Sequence, residues 1–349
     1  MMKKTNPNQS SGFSLIELMV AMGILSVLML MLTVLLDQVQ KSWTYSESRI
    51  SQFREARVAF DLLAKNLGQA SLNTYWDLED DDSDGLVDGY YRTSELHFEV
   101  MQASKLGGGA TQTPVGHAVF FQAPLGFSVQ YRNLNNLFNG RGYFVAFGGD
   151  RRFRPSFIQA DELYRYRLME FRPPAESNQV FEDGAEEREV GDPQQFTEWF
   201  RQGLSIGEGQ FEDHLNPLAE NIIMLVVSPR DSLIAQTGNT RDNMSDIAPA
   251  YVYDSNDVEN ETIAQQVPPL VRITMVAVDE ASAVRFEDGS SQPAEFADAI
   301  SSGFSNTGNF DEDIAKMVEK LNENQINHKV FSSMVLLRSA KWSETSGNN

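Results

Sequence analysis

The sequence predicts an α+β fold. A long N-terminal helix, membrane-spanning in its first half, packs on an antiparallel β-sheet head with inserted loops and short helices. Three observations predict it. Residues 13 to 36, from Phe13 to Leu36, carry a single charge, Glu17. Residues 37 to 73 contain no proline and repeat apolar side chains at helical spacing. The rest holds short β-branched and aromatic runs divided by polar, turn-rich stretches. One helix followed by antiparallel strands is an α+β arrangement.

The first element is a polar stub, residues 1 to 12, "MMKKTNPNQSSG", with Lys3, Lys4 and no acid. The second, residues 13 to 36, spans about 36 Å as a helix, enough for a bilayer core of about 30 Å. A secretory signal has a shorter apolar run followed by a small-residue cleavage site. Here the small pair Ser11-Gly12 precedes the run. Cleavage after Gly12 would therefore leave the apolar segment on the mature chain. The two lysines place the N-terminus in the cytoplasm and the bulk of the chain outside.

Glu17 needs a partner, because a carboxylate in hydrocarbon costs several kcal/mol unpaired. No basic residue lies within one helical turn of it. Cutting after Gly12 would give Phe13 a free α-amine, and a neighbouring copy would bring that cation to the same depth. The alternative is a signal anchor whose Glu17 sits among the headgroups.

The stretch "GFSLIELMVA", Gly12 to Ala21, resembles the N-terminal signature of type IV prepilins and type II secretion pseudopilins. The resemblance implies a prepilin peptidase that cuts after Gly12 and methylates Phe13. It implies Glu17 as the glutamate that pairs with a neighbour's N-terminus. It implies other pilins or pseudopilins and an inner-membrane secretion platform as partners, and a pilin-like head. Many pilins carry a proline partway along this helix, and residues 13 to 72 contain none.

Residues 37 to 73 continue the helix as an amphipathic segment. Trp43, Ile50, Phe53, Phe60, Leu63 and Leu67, with Ala56, Ala64 and Ala70, mark one stripe. Residues 13 to 72 thus predict one helix of about 90 Å, its second half packed on the globular head of residues 74 to 349. Strands are predicted at 94–100, 117–123, 142–149, 164–172, 221–228, 270–279 and 330–338. Short helices are predicted at 194–202 and 309–324. Residues 175 to 193 hold seven acids and one base, a polar loop. "VPPLVRITMVAVDE" (267–280) is similar to a late strand of J-type minor pseudopilins. "NTYW" (73–76), "SELHF" (94–98) and "AENIIMLVVSPRD" (219–231) are similar to the Verru_Chthon cassette protein C family.

Composition excludes several functions. The chain has 349 residues, 28 basic and 49 acidic side chains, a formal charge of −21 and no cysteine. Such acidity repels nucleic acid phosphates, so nucleic acid is not an expected partner. Without cysteine there is no disulfide, iron–sulfur cluster or thiolate zinc site. No phosphate-cradling glycine motif occurs.

"EDDDSDGLVDG" (79–89) is the strongest local motif after the N-terminus. Asp80, Asp82, Asp84, Gly85 and Asp88 form a candidate calcium loop, read as an acidic turn between the helix and the first strand. Alternate carboxylates on a tight loop converge on a hard cation. The twelfth position, a bidentate Glu in a complete loop, is Tyr91. No other cofactor is expected. "GLSIG" (203–207) matches the G-x-S-x-G pattern at Ser205, but a nucleophile elbow needs a strand before it and a helix after it. His97, His117, His214 and His328 are too scattered for a local metal motif. His97 is read as exposed on its strand.

No catalytic constellation emerges, so the chain is read as a non-catalytic minor pseudopilin. It would assemble into a periplasmic pseudopilus of a type II secretion-like system. A minor type IV pilin of a surface filament is the alternative. A membrane-anchored periplasmic enzyme or binding protein with a prepilin leader is the third.

Overall fold

In the computed structural model the described residues are 14–79, 87–106, 112–134, 136–155, 157–177, 199–200, 214–231, 247–257, 260–301 and 303–342. The chain divides into two compact units, Met1–Ser51 and Gln52–Asn349.

The described part of the first unit is helical, within α1 (Leu15–Leu67). Its apolar side chains from Leu15 to Leu36 are more than half exposed. Two hydroxyls in this stretch are satisfied inside the helix. Ser26 Oγ donates to Met22 O at 2.8 Å, and Thr33 Oγ1 to Met29 O at 2.8 Å. That leaves the backbone ladder intact and no hydroxyl needing water, as a lipid environment requires.

The second unit begins with the end of α1. There Ala56, Phe60, Leu63 and Leu67 are buried at spacings of four, three and four, as the sequence predicts, and Ala59 is buried beside them. Trp43, assigned to the same stripe, is instead 71% exposed. The helix ends at Leu67 rather than at residue 72, and Gly68 follows it. Asn66 extends the apolar stripe with a polar contact. Its amide donates to Tyr143 Oη at 2.7 Å, and that hydroxyl donates to Glu170 Oε1 at 2.8 Å. Arg141 Nε lies 3.6 Å from the same oxygen.

Among the described residues the strands form three antiparallel sheets. β1 (Tyr75–Glu79) and β2 (Gly89–Thr93) pair with each other and, among the described residues, with no other strand. β3 (Glu99–Gln102), β4 (Gln112–Pro124), β5 (Phe138–Gly149), β6 (Tyr164–Phe171), β7 (Leu215–Glu220) and β9 (Tyr253–Asp254) build a six-stranded sheet, ordered β7-β6-β5-β4-β3-β9. β8 (Ile222–Arg230), β10 (Leu270–Val278) and β11 (His328–Leu336) build a three-stranded sheet, ordered β11-β10-β8. α2 (Glu280–Arg285), α3 (Ala294–Ile300) and α4 (Phe310–Glu323) follow β10. Asp279 caps α2 by accepting from Ser282 N at 2.9 Å.

The six-stranded sheet is buried on both faces. One face, with Val119, Phe121, Tyr143, Val145 and Leu168, joins the main core with the end of α1, the three-stranded sheet, α3 and α4. The other, with Ala118, Phe120, Phe144, Met169 and Phe171, forms a second cluster under Trp199 and Phe200. Double burial explains why "HAVFFQA" and "GYFVAFGG" are apolar runs rather than alternations.

Three sequence expectations need correction. Residues 94 to 98 are not strand; β3 starts at Glu99, and the backbone before it is held by side chains. His97 N donates to Gln122 Oε1 at 2.7 Å, and Phe98 N to Ser255 Oγ at 2.9 Å. His97 is therefore 1% exposed, not solvated. The acidic loop lies inside a hairpin, between β1 and β2, because "YWDLE" already forms a strand. Of the helix predicted over 194–202, only Trp199 and Phe200 are described, and both are helical. The predicted helix 309–324 matches α4.

Candidate functional site

The N-terminal part of α1 is the first candidate. Residues Leu15–Trp43 form a 29-residue helical stretch with a mean hydropathy of 2.6 and no buried part. Its length and apolarity fit a single-pass membrane anchor. Glu17 sits exposed in its first turn, where the helix dipole favours a carboxylate. The next acid and base along the chain, Asp37 and Lys41, pair with each other at 2.8 Å. Lys41 is thereby engaged one turn from its own acid, about seven helical turns beyond Glu17. Gly12 and Phe13 lie outside the described residues, as do Asp80, Asp82 and Asp84 of the acidic loop. Asp88 is exposed just before β2, and Tyr91 donates to Asp77 Oδ2 at 3.4 Å across the hairpin. Ser205 is outside the described residues too.

The second candidate is one that sequence reading missed. His97, Glu99 and Asp254 bring one ligand atom each to within 4.8 Å of one another. Asp254 pairs with Glu99 in the β9–β3 ladder, 157 residues along the chain from His97. His97 Nε2 lies 2.7 Å from Asp254 Oδ1 and 3.8 Å from Glu99 Oε2. Trp199 Nε1 approaches His97 Nδ1 at 3.2 Å. An indole N–H is only a donor, so Nδ1 accepts and the imidazole proton sits on Nε2, which donates to Asp254. A metal on Nε2 would move that proton to Nδ1, facing the indole N–H donor to donor. The geometry therefore makes His97 a hydrogen-bond relay that ties Trp199 to β9. The only sequence signal for it was a histidine two residues before a glutamate on a strand.

His117 is a second buried histidine. Val227 N donates to its Nδ1 at 3.1 Å, and its Nε2–H donates to Phe304 O at 3.2 Å. Burial pushes its pKa down to about 4, and the two backbone hydrogen bonds offset only part of that. The fold requires the neutral ring, while an unfolded histidine titrates near 6.5. The unfolded chain thus binds more protons below pH 6.5. Stability carried by this group is complete above about pH 6.5 and is lost as pH falls towards 4, by about 3 kcal/mol. His117→Gln, which does not titrate there, is expected to flatten this fall. Urea midpoints at pH 7 and pH 4.5 measure it; equal falls in both proteins would refute it.

No curated protein and no solved structure matches the chain. Residues 7–33 match the prokaryotic N-terminal methylation motif. The match covers Gly12, Phe13, Glu17 and most of the apolar segment, and it supports a prepilin-like, pilin- or pseudopilin-type precursor.

Proposed function

We propose that this chain is a non-catalytic minor pseudopilin. A prepilin peptidase cuts it after Gly12 and methylates the new N-terminal Phe13. The apolar half of α1 holds the subunit in the inner membrane with its head outside the cytoplasm. Assembly transfers that half into the core of a short filament with other pilin-like subunits, driven from an inner-membrane secretion platform. Glu17 meets the Phe13 amine of a neighbouring subunit and fixes the register of the bundle. One observation carries the reading: an apolar helix of membrane-spanning length, with no buried part, holds one carboxylate in its first turn, inside the methylation motif. Such a helix must be covered by lipid or by other helices, and its lone carboxylate by a cation.

The test is direct. Co-expression with a prepilin peptidase is expected to yield a mature chain starting at Phe13, 14 mass units heavier than the bare amine from about one methyl group. Gly12→Val is expected to block the cut. A membrane-bound chain that still starts at Met1 beside the active peptidase refutes the reading.

A further inference from the structure

The β1–β2 hairpin shows an aromatic face that nothing in the described structure covers. In its register Trp76 lies opposite Arg92, and Leu78 opposite Tyr90. Side chains directly opposite in a ladder share a face. Trp76 is 47% exposed, Leu78 58% and Tyr90 48%. The Arg92 guanidinium lies over the Trp76 ring, 5.6 Å from its centroid. An indole, a phenol and a guanidinium on one face are the residue types that anchor protein interfaces, and Leu78 adds apolar area beside them.

The base of the hairpin is fixed. Asn73 Oδ1 accepts from Ser94 Oγ and from Glu95 N, both at 2.9 Å. Thr74 Oγ1 donates to Gln265 O at 2.6 Å, and Arg92 donates to Glu261 O. A two-stranded hairpin alone is marginal. These ties hold it in place, so presenting the face costs little ordering on binding.

Charge selects the occupant. Residues 79–88, from the end of β1 to the residue before β2, contain six acids and no base. Glu79 closes β1, and Asp88, exposed, directly precedes β2. A second copy of this chain, at a formal charge of −21, is repelled. An anionic lipid surface is repelled for the same reason. A basic protein surface is attracted, and its association is steered by the field. We propose that the Trp76–Leu78–Tyr90 face is a docking site for a protein partner that surrounds an apolar pocket with lysine and arginine. This stands apart from the helix assembly reading.

The test uses the full-length chain in its native cells, with the photo-cross-linker p-benzoylphenylalanine at Tyr90. Phe157, 81% exposed on the β5–β6 connection, is the control position. The expected result is an adduct at Tyr90 and not at Phe157, with a lysine- and arginine-rich peptide of one protein identified by mass spectrometry. Its yield is expected to fall at least fivefold with Trp76→Ser. The same fall is expected when Asp80, Asp82, Asp84 and Asp88 are all changed to Asn. N-terminal sequencing of each variant separates a failure of docking from a failure of processing. An adduct with another copy of the chain, a lipid, a glycan or an acidic peptide overturns the proposal. So does equal yield at Phe157, no adduct at all, or an adduct indifferent to the asparagine substitutions.

Discussion

Glu17→Ala is expected to leave cleavage after Gly12 unchanged and to reduce subunit–subunit cross-linking by two orders of magnitude or more. The magnitude follows from the surroundings. From Leu15 to Leu36 no other charged side chain occurs, so no cation on the same helix replaces the lost partner. In the assembled state the substitution leaves a neighbour's ammonium in hydrocarbon. An uncompensated buried charge costs about 3–5 kcal/mol, and each 1.4 kcal/mol is about tenfold in an equilibrium constant. Glu17→Gln keeps the shape and one hydrogen bond but not the charge, so an intermediate loss is expected. Ser14→Ala, one turn earlier, is the neutral control. The chain contains no cysteine, so single cysteines introduced along the exposed helix report contacts without background. Wild-type cross-linking in Glu17→Ala, with the mature N-terminus present, would remove the ion pair from the account.

The helix was legible because its signal is local. A run of apolar residues with one carboxylate needs no knowledge of what lies elsewhere in the chain. β4, β5, β8 and β10 were legible for a related reason, since each is a largely apolar run bounded by polar loops, while β6 and β11 interleave aromatic or β-branched residues with polar ones. Which face each residue occupies was not legible in β4 and β5. Both faces of that sheet are buried, so alternation is absent. The hairpin was missed because "YWDLE" pairs across an acidic loop, and its strand character depends on β2 rather than on its own pattern. His97 was misplaced because parity along a strand was applied to residues that are not in one. Its contacts come from Gln122, Trp199 and Asp254, and such long-range meetings are invisible in a single sequence. α2 carries its own start signal, since Asp279 is an N-cap residue followed by Glu280 in the first turn.

The same limit hid the role of two glycines on β5, and Gly142→Val is expected to destabilise the second unit by about 3 kcal/mol. Gly140 and Gly142 are two residues apart and share the face that carries the second cluster. A Cβ on Gly142 would run into the Phe120 ring and come within 3.2 Å of Phe171 Cβ. A Cβ on Gly140 would run into the indole of Trp199. The missing side chains are thus the floor on which the aromatic group lies. Phe120 and Phe200 stack there at 4.0 Å, with Trp199 edge-on to both. Valine is the better strand former, but that gain is at most about 1 kcal/mol, so the collision decides the sign. The Phe120 ring has little room to yield, being fully buried between β5 and Phe200. Trp199 is 3% exposed whereas Trp43 and Trp76 are 71% and 47% exposed. Lifting the aromatic layer should therefore shift tryptophan emission to the red before global unfolding. Gly142→Ala combined with Phe120→Leu is expected to lose less than the sum of the two single changes, by about 1 kcal/mol or more. Strict additivity in denaturant titrations of the four proteins would mean that the glycine does not seat the ring.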